Sequence, residues 1–141
     1  MTQIDFYLLG DNSADGSDHV ACRLVDKAFR LGHRVYIYAD DAGTCKKLDQ
    51  LLWTFSANSF IPHTLGLANK DDDTPVCIGD QEPPTTFADV LISLSQQVPA
   101  FFSRFERVAE VVGASNNEKQ QARERYRYYR DRGYQLQTHN L

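Results

Sequence analysis

Four cations stand out by their spacing. Lys119, Arg123, Arg127 and Arg130 follow one another at intervals of four, four and three residues, which puts them along one face of a helix. Tyr126 stands three residues past Arg123, beside that stripe. Arginine forks bind carboxylates in a bidentate way, and tyrosine supplies a flat amphipathic wall. A groove of this kind suits a peptide with carboxylates and an aromatic end. It suits phosphates too, or bases stacked on aromatic rings. The plainer alternative is a solvated helix face with Glu118, Glu124 and Asp131 as local salt-bridge partners. In either case Ala122, Tyr129 and the stem of Arg125 pack inward.

A second constellation is Trp53-Thr54-Phe55-Ser56-Ala57-Asn58-Ser59-Phe60-Ile61-Pro62-His63. The single tryptophan sits at a helix end, followed by two phenylalanines and an Ile-Pro turn. Aromatic residues on irregular backbone are typical interface anchors. The competing use is a core plug beneath a loop.

Motifs for enzyme chemistry find little support. The first strand–loop–helix unit invites a nucleotide, but its loop, Gly10-Asp11-Asn12-Ser13-Ala14-Asp15-Gly16-Ser17-Asp18, has neither GxGxxG nor GxxxxGK[ST]. Its three aspartates would oppose a phosphate at the helix N-terminus. Asp40-Asp41 follows a strand, where α/β sites often lie, and paired carboxylates could hold Mg²⁺. A helix N-cap with a neighbouring acid explains the same pair. His19, His33, His63 and His139 have no ligand spacing with each other or with Cys22, Cys45 and Cys77, so no metal or cofactor is expected. Cys45 near a helix start could be a low-pKa thiol or a small packing residue.

The elements that must position these residues are legible. The chain has 141 residues, 42% hydrophobic and 24% charged, which fits one α/β domain over 1–141. Ile4–Leu9 and Arg34–Ala39 read as buried strands. Each precedes a helix: one runs from Asp18, a candidate cap, to Gly32, and the other opens at Asp40-Asp41. Two strand–helix pairs in succession imply parallel strands and an α/β sandwich. Pro75–Gly79, Asp89–Leu94 and Arg107–Val112 read as further strands, the last of them final, and Phe101–Phe105 as a short helix. A strong helix starts at Ser115 or Asn116 and stops at Gly133.

Charge is uneven. Residues 1–115 carry 9 Lys/Arg against 16 Asp/Glu, and residues 116–141 carry 6 against 3. A basic end on an acidic body points to a localised anionic partner and should repel duplex DNA elsewhere. No apolar run approaches the roughly 20 residues of a membrane span. Met1-Thr2-Gln3-Ile4-Asp5 lacks a signal-peptide start, and the odd, widely spaced cysteines fit a reducing cytoplasm.

With these residues in place the chain resembles the chi subunit of the bacterial DNA polymerase III holoenzyme. The resemblance covers nearly the whole chain. Its sharpest parts are Phe6-Tyr7-Leu8-Leu9, Leu48-Asp49 through Leu52-Trp53, and Trp53 with Phe60-Ile61-Pro62-His63. Asp89 to Leu94 and Lys119-Gln120-Gln121-Ala122-Arg123-Glu124-Arg125-Tyr126 through Gly133 complete it. The first loop, the region 68–86, and a C-terminal segment without tryptophan depart from the family.

The resemblance implies a Rossmann-like fold, mostly parallel, without a nucleotide site. It also implies a non-enzymatic adaptor of the replisome. One partner would be the psi subunit, which ties chi to the clamp loader. The other would be the acidic C-terminal tail of single-stranded DNA-binding protein, which ends in a phenylalanine with a free carboxylate. Arg123 would hold that carboxylate, Tyr126 and Val112 would line the phenylalanine pocket, and Lys119, Arg127 and Arg130 would face upstream aspartates. Trp53, Phe60, Ile61, Pro62 and His63 would form much of the psi-facing surface. DNA would be met only indirectly. The rivals are a direct single-strand binder using the last helix, and a small nucleotide- or Mg-binding enzyme at Asp40-Asp41.

Overall fold

A computed structural model of the chain describes residues 1–10, 16–55, 60–66 and 74–141. Asp11 and Asp15 of the first loop, residues 56–59 of the aromatic segment and the Asn69 to Asp73 loop lie outside the described residues. In chain order the elements are β1 (Gln3–Leu8), α1 (Ser17–Arg30), β2 (Val35–Tyr38), α2 (Ala42–Thr54), β3 (His63–Leu65), β4 (Val76–Gly79) and β5 (Val90–Ser93). A 3₁₀ turn at Phe102–Arg104, β6 (Arg107–Val112), α3 (Asn116–Asp131) and β7 (Gln135–Asn140) follow.

All strand pairs are parallel, in the order β3-β4-β2-β5-β6-β1-β7. Strand alternation sends Val35, Ile37, Ile78, Ile92 and Val111 to one face, under α1 and α2. It sends Ile4, Phe6, Leu91, Val108 and Val112 to the other, under α3 and the 3₁₀ turn. Strands buried on both sides in this way read as continuous apolar runs, which is why most of them were visible in the sequence. The open parallel sheet with helices on both faces is the Rossmann-like α/β architecture.

Two expectations are corrected. Arg107–Val112 is not the final strand: β7 follows α3 and pairs with β1, with Leu136, Thr138 and Asn140 opposite Ile4, Phe6 and Leu8. Asp18 does not cap α1. Gly16 holds the N-cap position without a side-chain bond, and Asp18 lies in the first turn, where an acid favours the helix dipole. Asp41, by contrast, caps α2 by accepting from the Thr44 N–H at 2.7 Å.

The helix that carries the basic stripe is held at three points. At its start, Ser115 Oγ accepts from the Glu118 N–H (3.2 Å) and donates to Glu118 Oε1 (2.8 Å), a serine N-cap. Gly113 makes room for it, since a Cβ there would meet Glu118 Oε2 at 2.0 Å. At its end, Gly133 has φ 82°. Its N–H reaches Arg130 O (3.0 Å), and the Tyr134 N–H reaches Tyr129 O (3.2 Å), a Schellman closure. In the middle, Tyr129 donates to Glu110 Oε2 at 2.7 Å. Arg125 donates from Nη1 to Gln96 O at 3.0 Å. Its Nε lies 3.2 Å from Glu110 Oε1, at ion-pair distance but outside hydrogen-bond geometry. Glu110 and Arg125 are both buried.

Burial pushes the Glu110 carboxyl up from 4.5 to about 7, with the Arg125 guanidinium opposing. Between those values the folded chain holds a proton that the unfolded chain has released. The stability this supplies is full below about 4.5 and is lost as pH rises through about 7. Urea titrations at about pH 5 and about pH 8 should therefore show wild type losing stability relative to Glu110→Gln; parallel profiles would contradict the shift. Arg125→Met, which strands the buried carboxyl, should lower the unfolding free energy by about 3 kcal/mol.

Candidate functional site

The outer side of α3 and the α3-facing residues of the neighbouring strands enclose a groove. Register sets Thr138, Phe6 and Glu110 in one row across β7, β1 and β6. Glu110 is taken by Tyr129 and Arg125, so the open part of the row is Phe6 and Thr138. Together with Leu8, Ala122, Tyr126, Lys119 and Arg123 they line a cavity of about 150 Å³. That is the size of a protein cavity that admits a benzene ring. Its floor is apolar and aromatic: the Tyr126 ring lies 5.6 Å from that of Phe6, tilted by 57°. Its rim is cationic.

The five cations of α3 divide by direction. Arg125 points inward to Glu110. Lys119 and Arg123 reach the cavity. Arg127 is exposed, and neither it nor Arg123 has an ion-pair partner among the described residues. Arg130 pairs with its neighbour Asp131 at 3.2 Å. A guanidinium beside an apolar hole of ring size has the chemistry to accept a carboxylate attached to an aromatic group.

Of the residues expected here, Lys119, Arg123 and Tyr126 come together. Arg127 and Arg130 continue the stripe beyond the cavity. Val112 is 1% exposed, belongs to the core beneath, and does not line the cavity. Phe6, Leu8 and Thr138 were missed. The first two read as ordinary buried strand, and nothing in Gln135-Leu136-Gln137-Thr138-His139-Asn140 signals a strand that would put Thr138 there.

The second constellation lies at the opposite edge of the sheet, on α2 and β3. Trp53 and Phe60 are 50% and 70% exposed, with ring centroids 5.6 Å apart. Leu65 on β3 is also exposed. Beneath them Ile61 is buried. The His63 ring sits 4.3 Å from Trp53, Nδ1 2.7 Å from Ile61 O and Nε2 3.1 Å from Asp49 O. The segment is thus both anchor and plug: Trp53 and Phe60 face out, Pro62 is half-buried, and Ile61 and His63 support them.

Asp40 and Asp41 are engaged locally. Asp40 accepts from Ser95 Oγ (2.7 Å) and the Gln96 N–H (3.1 Å), and Asp41 caps α2. Burial pushes the Cys45 thiol up to about 11, which leaves it a packing residue. No described helix is long and apolar enough to cross a membrane.

Fold and site together define a Rossmann-like α/β domain with a cation-rimmed cavity beside α3 and an exposed aromatic pair beside α2. The chain belongs to the DNA polymerase III chi subunit family, a replisome accessory protein: the family model described as DNA polymerase III chi subunit, HolC, matches residues 1–137. It is 42% identical to a Pseudomonas aeruginosa protein named DNA polymerase III subunit chi, over 100% of this chain and 98% of that one. Proteins of the same name from Escherichia coli (35% identical, 98% and 97% covered) and Haemophilus influenzae (32%, 96% and 95%) also match. Among solved structures, T4 UvsW shares the fold alone, with TM-score 0.71 at 7% identity over 99% of this chain and 41% of that one.

The two faces of the aromatic segment make a direct contrast. Phe60→Ala should change stability by less than about 1 kcal/mol in urea unfolding, because the ring is largely solvated. Ile61→Ala, one residue on, should cost about 2–5 kcal/mol.

Proposed function

We propose that this chain is a two-faced adaptor, with no catalytic role of its own. Its α3 groove takes the acidic C-terminal tail of single-stranded DNA-binding protein, and its α2–β3 surface takes a psi-type subunit of the clamp loader. The observation that carries the first half is the cavity: one aromatic-sized hole with Arg123 and Lys119 on its rim. The terminal phenylalanine would lie on Phe6, Leu8 and Tyr126, its carboxylate on Arg123, and upstream aspartates near Lys119, Arg127 and Arg130. Arg130 meets them only by leaving Asp131.

The exposed Trp53–Phe60 pair with Leu65 supports the second half, since large aromatics on a solvated surface mark partner anchors. The two surfaces lie at opposite ends of a seven-stranded order. Strand spacing of about 4.8 Å separates the two edges by about 30 Å, far enough for both partners to be held at once.

Direct binding of single strands by α3 is the weaker reading. Stacking needs open ring faces. Tyr126 packs on Phe6, Tyr129 is buried, and Tyr128 carries the Arg132 guanidinium 3.4 Å above its ring.

Fluorescence anisotropy with a labelled peptide copying the tail of the organism's own single-stranded DNA-binding protein tests the groove. Wild type should bind saturably. Arg123→Ala should weaken binding about thirtyfold, and a peptide without its terminal phenylalanine should not bind. Arg127→Ala should mainly reduce the on-rate and the salt dependence. Phe60→Asp should leave peptide binding intact while abolishing co-purification with the psi-type partner. Loss of both together would contradict two separate surfaces.

A further inference from the structure

β7 is an edge strand, and no strand pairs with its outer side among the described residues. Natural edges are usually blunted by lysine, proline, a bulge or extreme shortness. β7 has six residues, Gln135-Leu136-Gln137-Thr138-His139-Asn140, in unbroken register with β1 and with no proline and no Lys, Arg, Asp or Glu. Its backbone directions follow from one bond. The Leu141 N–H donates to Leu8 O at 2.9 Å, so Leu141 faces β1. Peptide groups alternate along a strand. His139 and Gln137 therefore face β1 as well, while Leu136, Thr138 and Asn140 turn their N–H and C=O groups outward.

Thr138 is thus used twice. Its side chain lines the α3 cavity, and its backbone opens onto the free edge. A chain anchored in the cavity leaves it beside this edge. Register gives the direction. The cavity lies by Thr138 and Phe6 to Leu8, towards the C-terminal ends of the strands. α3 returns from there, carrying Arg123 and then Arg127 back towards the level of Leu136.

We propose that the acidic peptide whose C-terminal residue fills the cavity adds to β7 as an eighth, parallel strand. This rests on the groove reading given above and extends it to the backbone. The peptide's main chain pairs with Leu136, Thr138 and Asn140. Its alternate side chains turn to the α3 side, where exposed Arg127 offers an unpaired charge to carboxylates. Edge addition gives affinity through the main chain, and pockets for alternate side chains give specificity. The partner class is therefore an extended acidic C-terminus. A helical acidic segment with the same last residue would fill the cavity and gain nothing from the edge.

The test is a backbone scan of the peptide, with N-methyl groups placed singly at successive residues upstream of the terminal phenylalanine. It is read by anisotropy with the full-length chain, beside hydrogen exchange of β7 with and without the unmodified peptide. Strand addition gives a period of two: methylation at every second residue weakens binding about tenfold, its neighbours are tolerated, and the amides of Leu136, Thr138 and Asn140 gain protection. If the unmodified peptide binds but the scan is flat and those amides stay unprotected, strand addition is wrong and the cavity reading stands. If the unmodified peptide does not bind, the cavity reading fails and this proposal falls with it. If β7 is already protected without peptide and sedimentation shows a dimer, the edge belongs to a second copy of the chain, and the proposal is overturned.

Discussion

The position of α3 rests on a buried carboxyl. Across its sixteen residues the helix has one aliphatic side chain, Ala122, and three tyrosines. The apolar contact of its inner face is narrow, made mainly by Ala122 and the buried Tyr129 ring, and leaves the choice of face to be sharpened by polar groups. The choice falls to Glu110, which accepts the Tyr129 hydroxyl and stands against the Arg125 guanidinium, both from the same side of α3. A buried ion pair is a poor source of net stability but a strong constraint on arrangement, because any rotation of the helix would strand a charge. With Arg125 fixed inward, the helical repeat has no freedom left: Lys119, Arg123 and Arg127 must face out along the β7 side. The direction of the cationic stripe is a consequence of the anchor.

The same sheet keeps the two surfaces apart. Phe102 packs edge-on against Tyr129 and Tyr134, 5.1 Å from each, and ties the end of α3 to its own face. α2 lies on the other face, over β3 and β4, and turns Trp53 outward at the far edge. Between them lie five parallel strands whose buried side chains are apolar apart from Asp5, Ser93 and Glu110. Such a core is close-packed and stiff. The cavity on α3 and the exposed aromatics on α2 share no residue and stand at opposite edges of the sheet.

Most of the fold was legible because its strands are buried on both faces and read as apolar runs, and its helices carry clear stops at Gly32 and Gly133. The cationic stripe was legible for the same reason, as a period of 3.6 in charge. What escaped was set by tertiary geometry. β7 has one apolar residue, Leu136, among five polar ones and no periodicity to read; only the sheet gives it a role. Phe6 and Leu8 look like any core strand: Phe6 is buried under Tyr126 and Tyr129, and nothing in the sequence says that it and Leu8 line the cavity. Val112 is placed in the pocket by the family resemblance alone, but it lies in the core beneath and does not line the cavity. Ile61 and His63 were grouped with Trp53 and Phe60, although a turn of extended chain sends alternate residues to opposite sides.

We propose that the groove between α3 and the β1–β7 edge takes an acidic, phenylalanine-terminated peptide. Its most direct test is a titration of ¹⁵N-labelled full-length chain with that peptide, followed residue by residue in amide chemical shifts. The account requires the largest changes at Phe6, Leu8, Lys119, Ala122, Arg123, Tyr126 and Thr138, with Trp53, Phe60 and Leu65 unmoved. Changes centred on Trp53 and Phe60, or spread over the acidic body without saturation, would contradict it.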